Sequence, residues 1–327
     1  MAHAGRCPGP RGQQNNAYEK CDASRCNSGR PATASVYAHS LLSALSIASS
    51  AAGVARAVPP VTLFQAAVLG VVQGLTEFLP VSSSAHLILV RDLLGWDAGA
   101  AEIPFDVVCH LGTLLAVVLY FRSDVAALIV AGPQALMGRP GEMPRLGRLI
   151  VIATVPLALT GWLFADVIER LRTPEVAAIA LSLGAAAMLL AERMGTRSRA
   201  GTSLSAVEAS LLGLAQAAAL VPGVSRSGAV MTGALLTGLR REEGARFAFL
   251  LGIPAILGAA GRAAWTIGPT GLADETGIML MGFGASGVVG YVAVAALLRY
   301  VVSHTLNIFV YYRLVLAAAL GVWLVTT

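Results

Sequence analysis

The sequence predicts an all-α polytopic membrane protein built as an inverted repeat, each half a re-entrant helical hairpin followed by three transmembrane helices. Three observations carry that expectation. Of 327 residues, 56% are apolar and only 13% are charged, with a mean hydropathy of +0.72, against about 45–50% and about 25% in soluble domains. So little charge cannot clothe a water-soluble globule, which excludes a soluble single-domain enzyme, a nucleic-acid binder and a disordered chain. Two of the apolar stretches are broken at the centre, and those two stretches resemble each other. The net charge of +5 sits mostly in short loops between apolar runs, where it records topology and says little about partners.

In chain order, residues 1 to about 37 are polar and read as an unstructured extension. Residues 37–57 turn to Ala, Ser and Leu and end in Ala55-Arg56-Ala57. They read either as a weakly helical leader or as a signal-like or extra membrane segment. Residues 1–60 are thereby set apart from a membrane domain at 61–327. In that domain, apolar runs long enough to cross a bilayer fall at 103–121 (extended by 125–137), 149–165, 176–191, 247–265, 278–298 and 306–325. The stretches 61–95 and 204–239 are interrupted by Pro80 and by Pro222-Gly223, each followed by serines. Broken backbone survives at membrane depth only where it is buried in protein or lines a wet cavity, so each is read as a re-entrant hairpin. Of Cys7, Cys21, Cys26 and Cys109, none has metal-ligand spacing. Cys109, inside an apolar run, is read as a packing residue.

Ala66, Leu69, Gly70, Gln73, Val81, Ser82 and Ser84 recur, 143 residues later, as Ala209, Leu212, Gly213, Gln216, Val224, Ser225 and Ser227. The chain therefore reads as a duplication, repeat 1 about 61–195 and repeat 2 about 204–327. Three spans per repeat turn the second copy upside down. Loops 138–148 and 192–204 are net positive, whereas loops 166–175 and 268–276 are net negative, which puts the first pair in the cytoplasm. The first hairpin then opens to the outside, the second enters from the cytoplasm, and their tips meet near the midplane. With Val61 outside, residues 1–60 must be translocated or 37–57 must cross the membrane.

The first hairpin carries Gln73-Gly-Leu-Thr-Glu77-Phe-Leu-Pro80-Val-Ser82-Ser83-Ser84-Ala-His86. Gln73 and Glu77, four apart, share a helix face. Pro80 ends that helix, and the serines suit the start of the next, where unpaired backbone N–H groups favour an anion. Glu77 and His86 are costly at membrane depth and point to a functional cavity; the alternative is a pair that only locks the hairpin. The second hairpin carries Pro222-Gly223-Val224-Ser225-Arg226-Ser227-Gly228. Arg226 offers a planar fork able to grip a phosphate; the alternative is a structural Arg226–Glu77 pair between repeats. Together these residues make a kit for phosphoryl transfer. His110 is read as a packing histidine, His304 as interfacial, Tyr311 and Tyr312 as belt or cavity aromatics, and Gln216 as a relic that hydrogen-bonds between hairpins.

At these hairpins the sequence resembles the undecaprenyl-diphosphate phosphatase family, also called bacitracin resistance proteins. GVVQGLTEFLPVSSSAHLIL and LVPGVSRSGA are similar to the family's two motifs, and FDVVCHLGTLLAVVLYFR and RFAFLLGIPAILGA also fit its pattern. The likeness runs from about Val61 to the C-terminus. It implies hydrolysis of undecaprenyl diphosphate to the monophosphate and phosphate, recycling the lipid carrier for peptidoglycan synthesis and giving bacitracin resistance. It also implies a bacterial inner-membrane location, a site opening to the periplasmic face, and a divalent cation such as Mg²⁺. The family's pattern places catalytic roles on Glu77, Ser83, His86 and Arg226 and substrate binding on Gln73, Ser82, Ser225 and Ser227, with Glu77 the metal-binding candidate. Either a serine or His86 is the nucleophile. Gln73 stands where many members carry glutamate, Val230 where threonine is usual, and Ala85 where glycine is common. Expected partners are the lipid substrate, the bilayer and, as an option, a second copy in a homodimer, with no nucleic acid. The competing readings are a polyprenyl-phosphate transporter or flippase and an inactive relative.

Overall fold

Thr62 starts the first helix, α1 (Leu63–Phe78), with a capping box: its hydroxyl accepts from Gln65 N–H while Gln65 Oε1 accepts from Thr62 N–H. Pro80 lacks an N–H and cannot prolong the helix. The chain turns there into α2 (Ser83–Leu94), which Gly95 closes in the left-handed region at φ 63. α3 (Glu102–Tyr120), α4 (Arg122–Leu136), α5 (Glu142–Leu163), the short α6 (Ala165–Arg170) and α7 (Pro174–Met194) follow. A second capping box, Ser205 with Glu208, opens α8 (Ala206–Ala218), and α9 (Arg226–Leu236), α10 (Arg241–Ile267), α11 (Thr276–Ser303) and α12 (Asn307–Thr326) complete the order. This computed structural model describes residues 61–96, 102–267 and 276–326, so the expectations for residues 1–60 and for Asp274 and Glu275 lie outside it.

The described residues form helices and loops with one isolated bridge, Arg199 to Leu239, and no strand. Six helices, α3, α5, α7, α10, α11 and α12, are long and apolar enough to cross a membrane, so the chain is an all-α polytopic membrane protein. One expectation changes. Residues 125–137 do not extend the first span: the chain bends at Phe121 and restarts as α4. Arg122 and Asp124 sit at that bend, and Asp124 Oδ1 accepts from Arg246 Nη2 at 2.7 Å. A charged pair ends a span more cheaply than it lies within one, and the 15 residues of α4 fall short of the roughly 20 that a crossing needs.

Small residues set the tightest packing, as expected where lipid removes the hydrophobic drive between helices. α1 and α3 both pack on α11. Gly70 and Gly74 of α1 lie against the Gly282 and Ser286 carbonyls, and Gly112 of α3 lies against the Phe283 carbonyl and Ser286 Oγ, leaving no room for a Cβ. α12 packs on α7, and α5 packs on α8. Phe78 and Phe249 meet edge to face, ring centroids 5.4 Å apart, in the largest apolar cluster. Outward-facing Val130, Trp162, Leu183 and Val325 are exposed, as suits lipid.

Charge is gathered at the two ends of α7. Before its start, Arg172 Nη2 donates to Asp106 at 3.2 Å, and Asp106 also takes Arg91 Nη2 at 2.6 Å. At its other end Glu192 accepts from Arg241 at 2.6 Å, Arg197 at 3.1 Å and the Leu306 backbone N–H at 2.9 Å. These networks tie loops to span ends and leave the centre to the hairpins.

Candidate active site

The two hairpins break in the same way. Ser82 and Ser225, partners in the 143-residue offset, both take a left-handed backbone, φ 74 and φ 69, where a side chain is disfavoured. Each turn delivers the next residue to the first position of a helix, Ser83 on α2 and Arg226 on α9. A hydroxyl and a guanidinium thus stand at equivalent points of the two hairpins.

Glu77 joins them. Its Oε2 accepts from Ser83 Oγ at 2.7 Å and from Gln73 Nε2 at 2.8 Å, and its Oε1 accepts from Arg226 Nη2. The carboxylate is buried, with 4% of the side chain exposed, against 22% for Arg226. A buried carboxylate needs such partners. The Arg226–Glu77 pair between the two hairpins is thus present, and it forms one side of a cleft rather than a closed plug. That cleft is narrow, with Glu77, Arg226 and Ser227 at the polar end and Leu114, Phe249 and Ile256 along an apolar wall.

The other serines are engaged elsewhere. Ser84 Oγ accepts from Gly223 N–H at 3.4 Å and shares a hydrogen bond with Ser82 Oγ at 3.2 Å. Ser225 Oγ caps α9 by accepting from Gly228 N–H at 3.2 Å, and Ser227 Oγ donates to the Leu79 carbonyl at 3.2 Å. Ser83 alone of the five has its hydroxyl on the carboxylate.

His86 does not pair with Glu77. Its Nδ1 donates to the Ser82 carbonyl at 2.7 Å, which leaves Nε2 to meet Tyr312 Oη at 2.7 Å, and the two rings stack at 5.7 Å. His110 takes the place beside Glu77: Nε2 lies 3.5 Å from Oε2, and Nδ1 donates to the Asp106 carbonyl at 2.7 Å. A packing histidine would be enclosed, and 34% of this side chain is exposed. The signal that marks it in sequence is the one that marks Glu77, an ionisable group within a spanning segment. Gln216 is corrected too: it is buried, and neither its Oε1 nor its Nε2 has a hydrogen-bond partner among the described residues. Where Glu77 serves Gln73 in the first hairpin, the equivalent residue of the second is Leu220, which accepts nothing.

No group of three or more His, Cys, Asp or Glu side chains placed to hold a metal occurs among the described residues. A resident all-protein cage is therefore absent from them. Glu77, the Ser83 hydroxyl and Gln73 Oε1, which is buried without a partner among the described residues, do fit the kind of Mg²⁺ site in which one carboxylate is joined by substrate phosphates and waters.

Residues 66–319 match the family described as Bacitracin resistance protein BacA. Among similar curated proteins, the undecaprenyl-diphosphatase of Rubrobacter xylanophilus is 47% identical over 261 residues, covering 78% of this chain and 96% of that protein. Those of Alcanivorax borkumensis and Trichlorobacter lovleyi are each 44% identical, covering 80% of this chain and 98% and 96% of their own lengths.

Proposed function

The chain belongs to the bacitracin resistance protein BacA family, and from that premise we propose how its two hairpins divide the work of an undecaprenyl-diphosphatase. The enzyme hydrolyses undecaprenyl diphosphate to undecaprenyl phosphate and phosphate, a membrane-embedded hydrolase reaction that returns the carrier lipid to cell-wall synthesis. The carrying observation is the Ser83 Oγ to Glu77 Oε2 hydrogen bond of 2.7 Å, a nucleophile and base in contact.

In our reading the diphosphate lies at the polar end of the cleft and the isoprenoid along its apolar wall. Arg226 grips phosphate oxygens, and the N–H groups at the starts of α2 and α9 face the developing charge. Ser83 Oγ attacks the terminal phosphorus while Glu77 takes its proton. The bond to the bridging oxygen breaks, and that oxygen leaves on undecaprenyl phosphate. Water then attacks the phosphoserine, Ser83 recovers a proton from Glu77, and phosphate departs. His86, with both nitrogens engaged, orients the turn through the Ser82 carbonyl, while Gln73 and His110 hold the carboxylate. A divalent cation, held by Glu77 with Gln73 and the substrate, would neutralise diphosphate charge. The loop charges support a site opening to the periplasmic face of the inner membrane.

Phosphate release from a C15 or C55 diphosphate by purified protein tests this. Ser83→Ala and Glu77→Gln are expected to lose about 10²–10⁴-fold in kcat, and parent enzyme given terminally labelled substrate and quenched with detergent denaturant at neutral pH, where phosphoserine and phosphohistidine both survive, should carry label on Ser83. Label on His86, or undiminished release by Ser83→Ala, refutes the assignment.

A further inference from the structure

Arg313 stands on α12, outside both hairpins, and is fully buried. Its guanidinium meets no carboxylate among the described residues. Nη1 donates to the Pro80 carbonyl at 3.2 Å and the Val224 carbonyl at 3.1 Å. Nη2 donates to the Gly223 carbonyl at 3.0 Å and the Ala180 carbonyl at 3.3 Å, and Nε to the Leu181 carbonyl at 3.2 Å. An arginine has five N–H donors in a rigid planar fork, and here they are spent on backbone oxygens of three separate segments.

A buried cation met only by neutral dipoles is expensive at membrane depth, so it is sustained where several carbonyls would otherwise be orphaned. Helix breaks create that situation. Pro80, Gly223 and Val224 lie between the arms of the two hairpins, and Pro80 and Gly223 are partners in the 143-residue offset. One guanidinium thus bonds the same carbonyl of both hairpins and anchors the pair to Ala180 and Leu181 of α7. Three residues beyond each of those carbonyls stand Ser83 and Arg226. Besides the Arg226–Glu77 pair, the direct bonds between the turns, Gly223 N–H to Ser84 Oγ at 3.4 Å and Ser227 Oγ to the Leu79 carbonyl at 3.2 Å, are single neutral contacts, whereas Arg313 bonds both turns and α7 through one rigid charged group.

We propose that Arg313 is the positioning residue that sets the two hairpin breaks against each other, so that Ser83 from one repeat and Arg226 from the other meet one phosphate. The proposal rests on the hydrolytic roles given above to Ser83, Glu77 and Arg226. Arg313 touches no substrate atom in this arrangement, and its effect falls on turnover more than on binding. Misplacing reacting groups by 1 Å costs about 100-fold.

The test uses full-length protein in detergent, with kcat and KM for a C15 diphosphate referred to the monodisperse, folded fraction. Arg313→Gln is expected to lower kcat about 100-fold with KM within about threefold. Arg313→Lys, with three donors instead of five, should recover at least about fivefold over Arg313→Gln. Gly184→Ala gives an independent view. Its added methyl would overlap Arg313 Nη2, displacing the fork without removing any charge, in a substitution that favours the helix; about a tenfold loss of kcat is expected. Should Arg313→Gln fail to fold, Gly184→Ala and Arg313→Lys decide alone. A folded Arg313→Gln or Gly184→Ala with kcat within twofold of the parent, losses that only follow the folded fraction, or an Arg313→Lys no better than a folded Arg313→Gln overturns the proposal. Failure of the underlying reading shows differently, as a parent that releases no phosphate or a Ser83→Ala that matches it, and removes the proposal with it.

Discussion

His86 gives its Nδ1 proton to the Ser82 carbonyl and its Nε2 to Tyr312, whereas His110 turns Nε2 toward Glu77 at 3.5 Å. Residue type alone does not separate them. Both are histidines in apolar helices, and only His86 lies in the hairpin motif; the motif leaves a serine or His86 as nucleophile, and the bond from Ser83 Oγ to Glu77 Oε2 is the reason our proposal takes Ser83. His110→Ala is expected to lower kcat about tenfold with little change in KM, since the ring packs 3.5 Å from the Glu77 carboxylate and removing it loosens the position of that group; steady-state kinetics checks it. Tyr312→Phe removes only the hydroxyl partner of His86 and leaves the ring stack. A two- to fivefold fall in kcat, about 0.5–1 kcal/mol, is expected from a neutral hydrogen bond, and a loss as large as that of Ser83→Ala would make Tyr312 a participant in the chemistry. Gln73, Glu77, Ser83 and Arg226 are legible in the sequence because each sits beside a helix break that local rules detect.

At the scale of elements, helix starts and stops follow local chemistry. Thr62 and Ser205 each build a capping box, and Pro80 separates α1 from α2. α4 is the element that hydropathy misassigns, because a window average passes over Arg122 and Asp124 while the chain does not. Contacts between helices lie beyond such rules. Gly112 reads as an ordinary helical glycine until α11 is seen against it; Gly112→Ala should lower stability by about 1–3 kcal/mol through overpacking, measured as a lower thermal midpoint in detergent. Arg199 and the Ser205 cap hold the Glu208 carboxyl at about 2, down from 4.5. A depressed carboxylate stabilises the fold fully above pH 4.5 and loses that contribution as pH falls toward 2. The melting difference between the parent and Glu208→Gln should therefore be largest near neutral pH and shrink below pH 4.5, and a difference that grows with acid refutes it.

For the whole molecule, orientation is the quantity that loop charges set and packing does not. In a background with Cys7, Cys21 and Cys26 changed to serine, an impermeant thiol reagent should label Glu169→Cys in intact cells and Arg139→Cys only after lysis; the reverse pattern would turn the site inward. The membrane class, the six spans, the two interrupted segments and the family can all be read along the chain, since hydropathy, helix breakers and motifs are properties of neighbouring residues. That Glu77 bonds Ser83 and not His86, that His110 faces the carboxylate, and that Arg313, 233 residues from Pro80, bonds both hairpin turns emerge from the folded arrangement alone. Those relations depend on where distant backbone carbonyls and side chains converge. A buried polar group is satisfied by whatever the fold brings within about 3 Å, and no periodicity along the chain encodes that.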